Sequence, residues 1–191
     1  MFPHIRLSIL MDSASLNLLN KLCSFTRLFI WFCMAYSGRY PVKNKSKYLG
    51  DPNGVVYRSL WEKHAFKWCD NNSNVKRWGS EEVIIPYLYE VDKRYHRYFM
   101  DLVIEYKDGN IVLVEIKPDK ETRPPTGKRK TKLLVEQSLT YVKNQNKWKA
   151  AEKYAKERGW KFEIWTEKRL SAMGILPKAF KPLKPFPKKK R

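Results

Sequence analysis

Three ionisable residues interrupt segments that otherwise read as apolar strands. Asp101 lies within Tyr98–Tyr106 (YFMDLVIEY), and Glu115 and Lys117 close Ile111–Lys117 (IVLVEIK). Side chains alternate along a strand, so Glu115 and Lys117 share one face while Val112, Val114 and Ile116 line the other. Charges at the end of an apolar strand are costly unless they pair or bind a metal. Two adjacent carboxylates hold a hard cation such as Mg²⁺ through oxygen ligands, with Mn²⁺ expected to substitute. Such a cation polarises a phosphoryl oxygen and acidifies a bound water. A neighbouring ammonium can orient that water and offset the charge that develops on the phosphate. The chemistry these residues suit is therefore phosphodiester hydrolysis.

Whether Asp101 reaches the other two depends on register. A two-residue Asp108-Gly109 turn would pair Leu102 with Glu115 and put Asp101 on the wrong face. A three-residue Lys107-Asp108-Gly109 loop pairs Tyr106 with Asn110, and hence Asp101 with Glu115. Gly109 supplies the left-handed third position of that loop without strain, so the second register is expected.

The elements that must position these strands follow from periodicity. Apolar residues Leu16, Leu19, Leu22, Phe25, Leu28, Phe29 and Phe32 give Ser13 to Tyr36 a helical stripe. Tyr40 to Asn53 reads as a basic loop, Tyr57 to Asp70 as a helix, and Glu82 to Tyr89 as an edge or bulged strand because of Pro86. Pro118 to Lys132 is a basic loop, and Leu133 to Arg158 reads as a helix ended by Gly159. Trp160 to Trp165 alternates as a strand, and from Pro177 the chain carries seven basic residues and no acidic one. The order predicts a mixed α/β domain with a small, partly antiparallel sheet flanked by helices and preceded by N-terminal helices. The expected boundaries are an extension over 1–14, the domain over 15–170, and a basic Pro/Lys-rich tail over 171–191. Met11, followed by DSAS, could be an alternative translation start.

Glu62, on the Tyr57–Asp70 helix, could face the sheet and add a metal or water ligand; alternatively it is solvated and pairs with Arg58. Thirty-nine Lys and Arg against nineteen Asp and Glu give a net charge of +20, which points to a polyanionic partner, nucleic acid first. Lys128, Arg129 and Lys130, with Lys149 on the following helix, are expected to contact DNA backbone; Gln137 lies on the same helix. His64 and His96 read as structural or phosphate-contacting. Three cysteines without a CxxC pair argue against a disulfide framework or structural zinc. The apolar run Leu28 to Tyr36 is far short of the ~20 residues of a membrane span. No Gly-rich phosphate loop suggests nucleotide hydrolysis.

Tyr57 to Glu62 (YRSLWE), Tyr98 to Asp119 (YFMDLVIEYKDGNIVLVEIKPD) and Trp148 to Glu167 (WKAAEKYAKERGWKFEIWTE) together resemble the PD-(D/E)xK nucleases, in particular the TnsA-like branch. Within that branch they are most similar to the nucleases that complete the heads of T-even-like bacteriophages. Met100 stands where the motif's proline would be. The resemblance covers roughly 15–167. It implies a restriction-endonuclease-like core and an active site of Glu62, Asp101, Glu115 and Lys117. It also implies Mg²⁺ on Asp101, Glu115 and Glu62, cleavage of double-stranded DNA, and a late role in assembly in the host cytoplasm. Portal or neck proteins would then be partners, and the protein could stay with the virion. Two rival readings keep the same core: a DNA-binding virion protein that does not cut, and a transposition or repair nuclease.

Overall fold

The computed structural model describes residues 37–127, 129 and 131–176. The expected N-terminal helices, Met11, Cys23, Cys33, Lys128, Lys130 and the tail from Pro177 lie outside these residues.

A four-stranded sheet carries the domain. Its strands are β3 (Val75–Gly79), β6 (Leu102–Tyr106), β7 (Ile111–Ile116) and β8 (Lys161–Trp165), side by side in that order. β3, β6 and β7 pair antiparallel, whereas β7 and β8 run parallel. A parallel pair needs a long crossover, which the 26-residue helix α2 (Lys132–Glu157) provides. Gly159, at φ +68°, ends that helix in the left-handed conformation its sequence position predicts. The sheet is therefore mixed, as expected.

Both faces of the sheet are buried. Leu102, Ile104, Val112, Val114 and Ile116 pack under helix α1 (Leu60–Asn71), whose Trp61, Ala65, Phe66 and Cys69 face them. The short strands β1 (Gly38–Arg39) and β2 (Val56–Tyr57) close this side, as does helix α3 (Glu167–Ala172) through Leu170. On the opposite face Val103 and Leu113 meet Ala151 and Ala155 of α2. A separate hairpin, β4 (Ile84–Tyr89) with β5 (Arg94–Phe99), completes that side through Ile85, Tyr87 and Tyr98.

The turn chemistry between β6 and β7 is as read from Lys107-Asp108-Gly109. Tyr106 N donates to Asn110 O at 2.8 Å, Gly109 has φ +86°, and Leu102 faces Val114 across the ladder. Extending that register by one step sets Asp101 opposite Glu115.

Four features depart from expectation. Tyr98–Tyr106 is not one strand. The chain leaves β5 at Phe99, Met100 N donates to Val83 O, and β6 begins at Leu102 in another sheet. Helix α1 starts at Leu60 rather than Tyr57, because Ser59 caps it and Tyr57 belongs to β2. Strand β3 has no apolar alternation to announce it; Lys76 and Arg77 converge on Glu105 of β6, each at 2.7 Å, across a bulge. The fold also continues past 170, since α3 runs to Ala172 and Ile175 is buried.

Candidate active site

Asp101 sits at the break between the two sheets, one residue before β6 begins. Its Oδ2 accepts the Ile116 backbone N–H at 2.7 Å, which ties the carboxylate to the edge of β7. Glu115, one residue earlier on β7, is almost wholly buried at 1% exposure. Its Oε2 accepts the Tyr98 hydroxyl at 2.7 Å, and its Oε1 lies 3.4 Å from Lys117 Nζ. The register thus brings together Asp101, just before β6, with Glu115 on β7 and Lys117 just beyond its end. Tyr98, from the β4–β5 hairpin, joins them from the side.

The electrostatics follow from burial and closeness. Burial raises the Asp101 carboxyl well above the ordinary carboxylate range, and the charge of Glu115 raises it further; Lys117 and the Ile116 N–H oppose this. Burial alone would lower Lys117, but Glu115 and Asp101 outweigh it and hold the ammonium protonated above its usual range. Two carboxylates that repel one another beside a single ammonium form a site that gains from a further cation. The donors are hard oxygens, and Asp101 Oδ1 accepts no hydrogen bond among the described residues. Mg²⁺ is commonly held by one or two carboxylates with water and substrate oxygens completing the shell, and this donor set fits that mode.

Glu62 borders the site without entering it. Ser59 Oγ accepts the Glu62 N–H at 3.2 Å, while Glu62 Oε1 and Oε2 accept Ser59 Oγ and the Arg58 N–H at 2.8 and 2.7 Å. Both oxygens therefore serve the start of α1, in a variant of the capping box. The Ser59-x-x-Glu62 spacing before an apolar run is the sequence signal for that role. Burial raises the Glu62 carboxyl, against the Arg58 and Ser59 hydrogen bonds and the charge of Lys117. No group of three or more His, Cys, Asp or Glu placed to hold a metal exists among the described residues. The three-carboxylate ligand set is thus not assembled in this structure. The Arg58 side chain does not pair with Glu62; it grips Glu81 through two nitrogens at 2.8 and 3.1 Å.

Of the expected backbone-contacting residues, Arg129 and Lys149 are among those described. Arg129 and Lys149 are both exposed, Lys149 on the outward side of α2. His64 and His96 stand outside the cluster, His96 bonding Asp92 at 2.7 Å. The residue that sequence reasoning passed over is Lys147, two positions before Lys149. At about 100° per residue it falls on the sheet-facing side of α2, and its Nζ lies 4.8 Å from the centroid of the Tyr98 ring. A signal was available: Lys147 shares a helical stripe with Ala151 and Ala155.

Comparison with known proteins bears on this arrangement. The family described as TnsA-like endonuclease N terminal matches residues 72–167, a stretch that includes Asp101, Glu115, Lys117 and Lys147 but not Glu62. The head completion nuclease of Enterobacteria phage T4 is 44% identical over 147 residues, covering 74% of this chain and 98% of that protein.

Proposed function

The chain belongs to the TnsA-like endonuclease family, and from that premise we propose that it is a divalent-metal-dependent DNA endonuclease acting in phage head completion. The observation that carries the catalytic reading is the convergence of Asp101, Glu115 and Lys117 at the mouth of the β6–β7 hairpin. Similarity over nearly the whole length of a head completion nuclease supports that setting over transposition or repair.

In this reading Asp101 and Glu115 hold Mg²⁺, with Mn²⁺ able to replace it. The bound cation supplies Lewis-acid polarisation of the phosphoryl oxygen and a more acidic water. Lys117, kept protonated by the two carboxylates, orients the attacking water and offsets charge developing on the phosphate. Tyr98 locks the Glu115 side chain by donating to Oε2, so that the carboxylate meets the cation in one orientation. Glu62 shapes the border of the site from the start of α1 and does not ligate. The exposed Arg129 and Lys149, with the net charge of +20, supply salt-dependent affinity for the DNA backbone. Duplex DNA emerging from a filled head is the substrate. Portal or neck proteins are the partners, and the host cytoplasm during assembly is the place of action. No helix among the described residues is long and apolar enough to cross a membrane.

Metal dependence is the direct test. Incubated with linear and supercoiled DNA, the purified full chain is expected to cut in Mg²⁺ or Mn²⁺ and to stop in EDTA. Activity should return when Mg²⁺ is added in excess. Cutting that continues under chelation, or no cutting with any divalent cation, would reject this function.

A second expectation concerns the hydroxyl on Glu115. Tyr98→Phe keeps the ring and loses a hydrogen bond to a charged acceptor, which is worth about 1.5–3 kcal/mol. Part of that loss should reach the transition state, giving a cleavage rate about tenfold lower, the equivalent of about 1.4 kcal/mol. The half-saturating Mg²⁺ concentration should rise as well, readable from a metal titration of initial rates. An unchanged titration would mean that Glu115 needs no such support.

A further inference from the structure

Lys147 touches no partner of opposite charge among the described residues. It projects from the sheet-facing side of α2, on the same stripe as the fully buried Ala151. Its side chain is half-buried. The one contact made by its Nζ among the described residues is the Tyr98 ring, at 4.8 Å from the centroid, and no carboxylate comes within ion-pair distance. The Tyr98 hydroxyl in turn donates to Glu115. A lysine withdrawn from water without a counterion costs folding free energy, and a helix face that continues into alanines has no packing need for one. The groups facing it are Glu115, Asp101, Lys117 and Lys143. Burial draws its proton affinity down; Lys117 and Lys143 act in the same direction, and the two carboxylates oppose them. A phosphate arriving at Asp101 and Glu115 would bring the missing anion.

We propose that Lys147 is a catalytic residue of this site, its ammonium binding a non-bridging oxygen of the scissile phosphodiester. This proposal rests on the nuclease reading given above. It divides the labour between two lysines: Lys117, on the strand, serves the attacking water, and Lys147, on the crossover helix, serves the phosphate. It also explains why the aromatic ring between α2 and Glu115 is a tyrosine. The ring face steadies the ammonium while the hydroxyl steadies the carboxylate.

The test compares full-length wild type, Lys147→Met and Lys147→Arg. Single-turnover cleavage of a linear duplex in Mg²⁺ is measured, together with the melting temperature in metal-free buffer. Methionine keeps the stem and removes the charge. It is expected to lower cleavage about 100-fold, the typical effect of losing one transition-state donor, with the melting temperature equal or higher. Arginine should recover cleavage to within about tenfold of wild type, since it restores a phosphate donor. Wild-type cleavage by Lys147→Met, beside an active wild type, would overturn the role of Lys147 and leave the nuclease reading standing. Loss of cleavage with a lower melting temperature and no recovery by arginine would make Lys147 structural and also overturn it. A wild type that fails to cut with any divalent cation would sink the nuclease reading and this proposal together.

Discussion

Asn in place of Asp101 should lower DNA cleavage by about three orders of magnitude and yet raise the melting temperature of the metal-free protein at neutral pH. The loss follows from removing one of the two carboxylates proposed to hold the cation, whose Lewis-acid contribution would be worth several kcal/mol at about 1.4 kcal/mol per tenfold in rate. The gain in stability has a definite sign. The folded-state pKa of Asp101 is raised, by burial first and by Glu115 second, so the unfolded chain gives up this proton at lower pH than the folded one. Between the unfolded and folded values the folded state therefore binds more protons, and stability falls as pH rises through that window. Asn carries no such penalty, and its Oδ1 can still accept the Ile116 N–H that Asp101 Oδ2 accepts at 2.7 Å. Added Mg²⁺ should raise the melting temperature of the wild type and leave that of Asp101→Asn unmoved. Lys117→Ala should lose cleavage to a similar degree while keeping the Mg²⁺-induced rise, because it removes the ammonium and not a ligand. DNA binding in Ca²⁺ should survive in both variants. Cleavage at wild-type rates in both would place the site elsewhere.

The largest loss of stability is expected far from that site, at Asp70. This residue has 0% exposure at the end of α1, and its carboxylate accepts the backbone N–H groups of Lys43 and Asn44 at 2.8 and 3.0 Å. The Asn44 amide and the Lys47 ammonium return to the Asp70 carbonyl at 2.8 and 3.3 Å. The loop that carries Tyr40 and Tyr48 against Trp78 is thereby clamped to the helix. Alanine at 70 leaves two N–H groups without acceptors, at about 1–3 kcal/mol each, so a total near 4 kcal/mol is expected. For a chain of this size that corresponds to roughly 8–16 °C in melting temperature. Asn, with one acceptor oxygen, should recover about half. Thermal and urea unfolding of the two variants would check this, and a shift of under about 2 °C in Asp70→Ala would refute the clamp. Cleavage measured well below the transition should be unaffected, since Asp70 lies across the sheet from Glu115.

What could be read in the amino-acid sequence is what short-range rules control. Gly109 specified a three-residue turn, the turn specified the β6–β7 register, and alternation then put Glu115 and Lys117 on one face with Asp101 opposite Glu115. Apolar period and caps located α1, α2 and β8 to within a few residues. The Ser59-x-x-Glu62 spacing is equally local, and in the structure both Glu62 carboxylate oxygens bond to the start of α1. Tertiary structure decided the rest. Strand β3 forms where Val75 and Trp78 are buried in the core beside β6, and Lys76 and Arg77 share Glu105 of β6, a partner 29 and 28 residues away. The split of Tyr98–Tyr106 follows from Met100 bonding to Val83, which extends the β4–β5 ladder by one step before the chain crosses to β6. Lys147 reaches the site, and Lys149 does not, because the rotation of α2 is set by burying Ala151 and Ala155 against Val103 and Leu113. Backbone dihedrals and side-chain period act over a handful of residues. Which faces meet, and therefore which charges share a site, is settled only when the sheet, the hairpin and the crossover helix bury their apolar surfaces together.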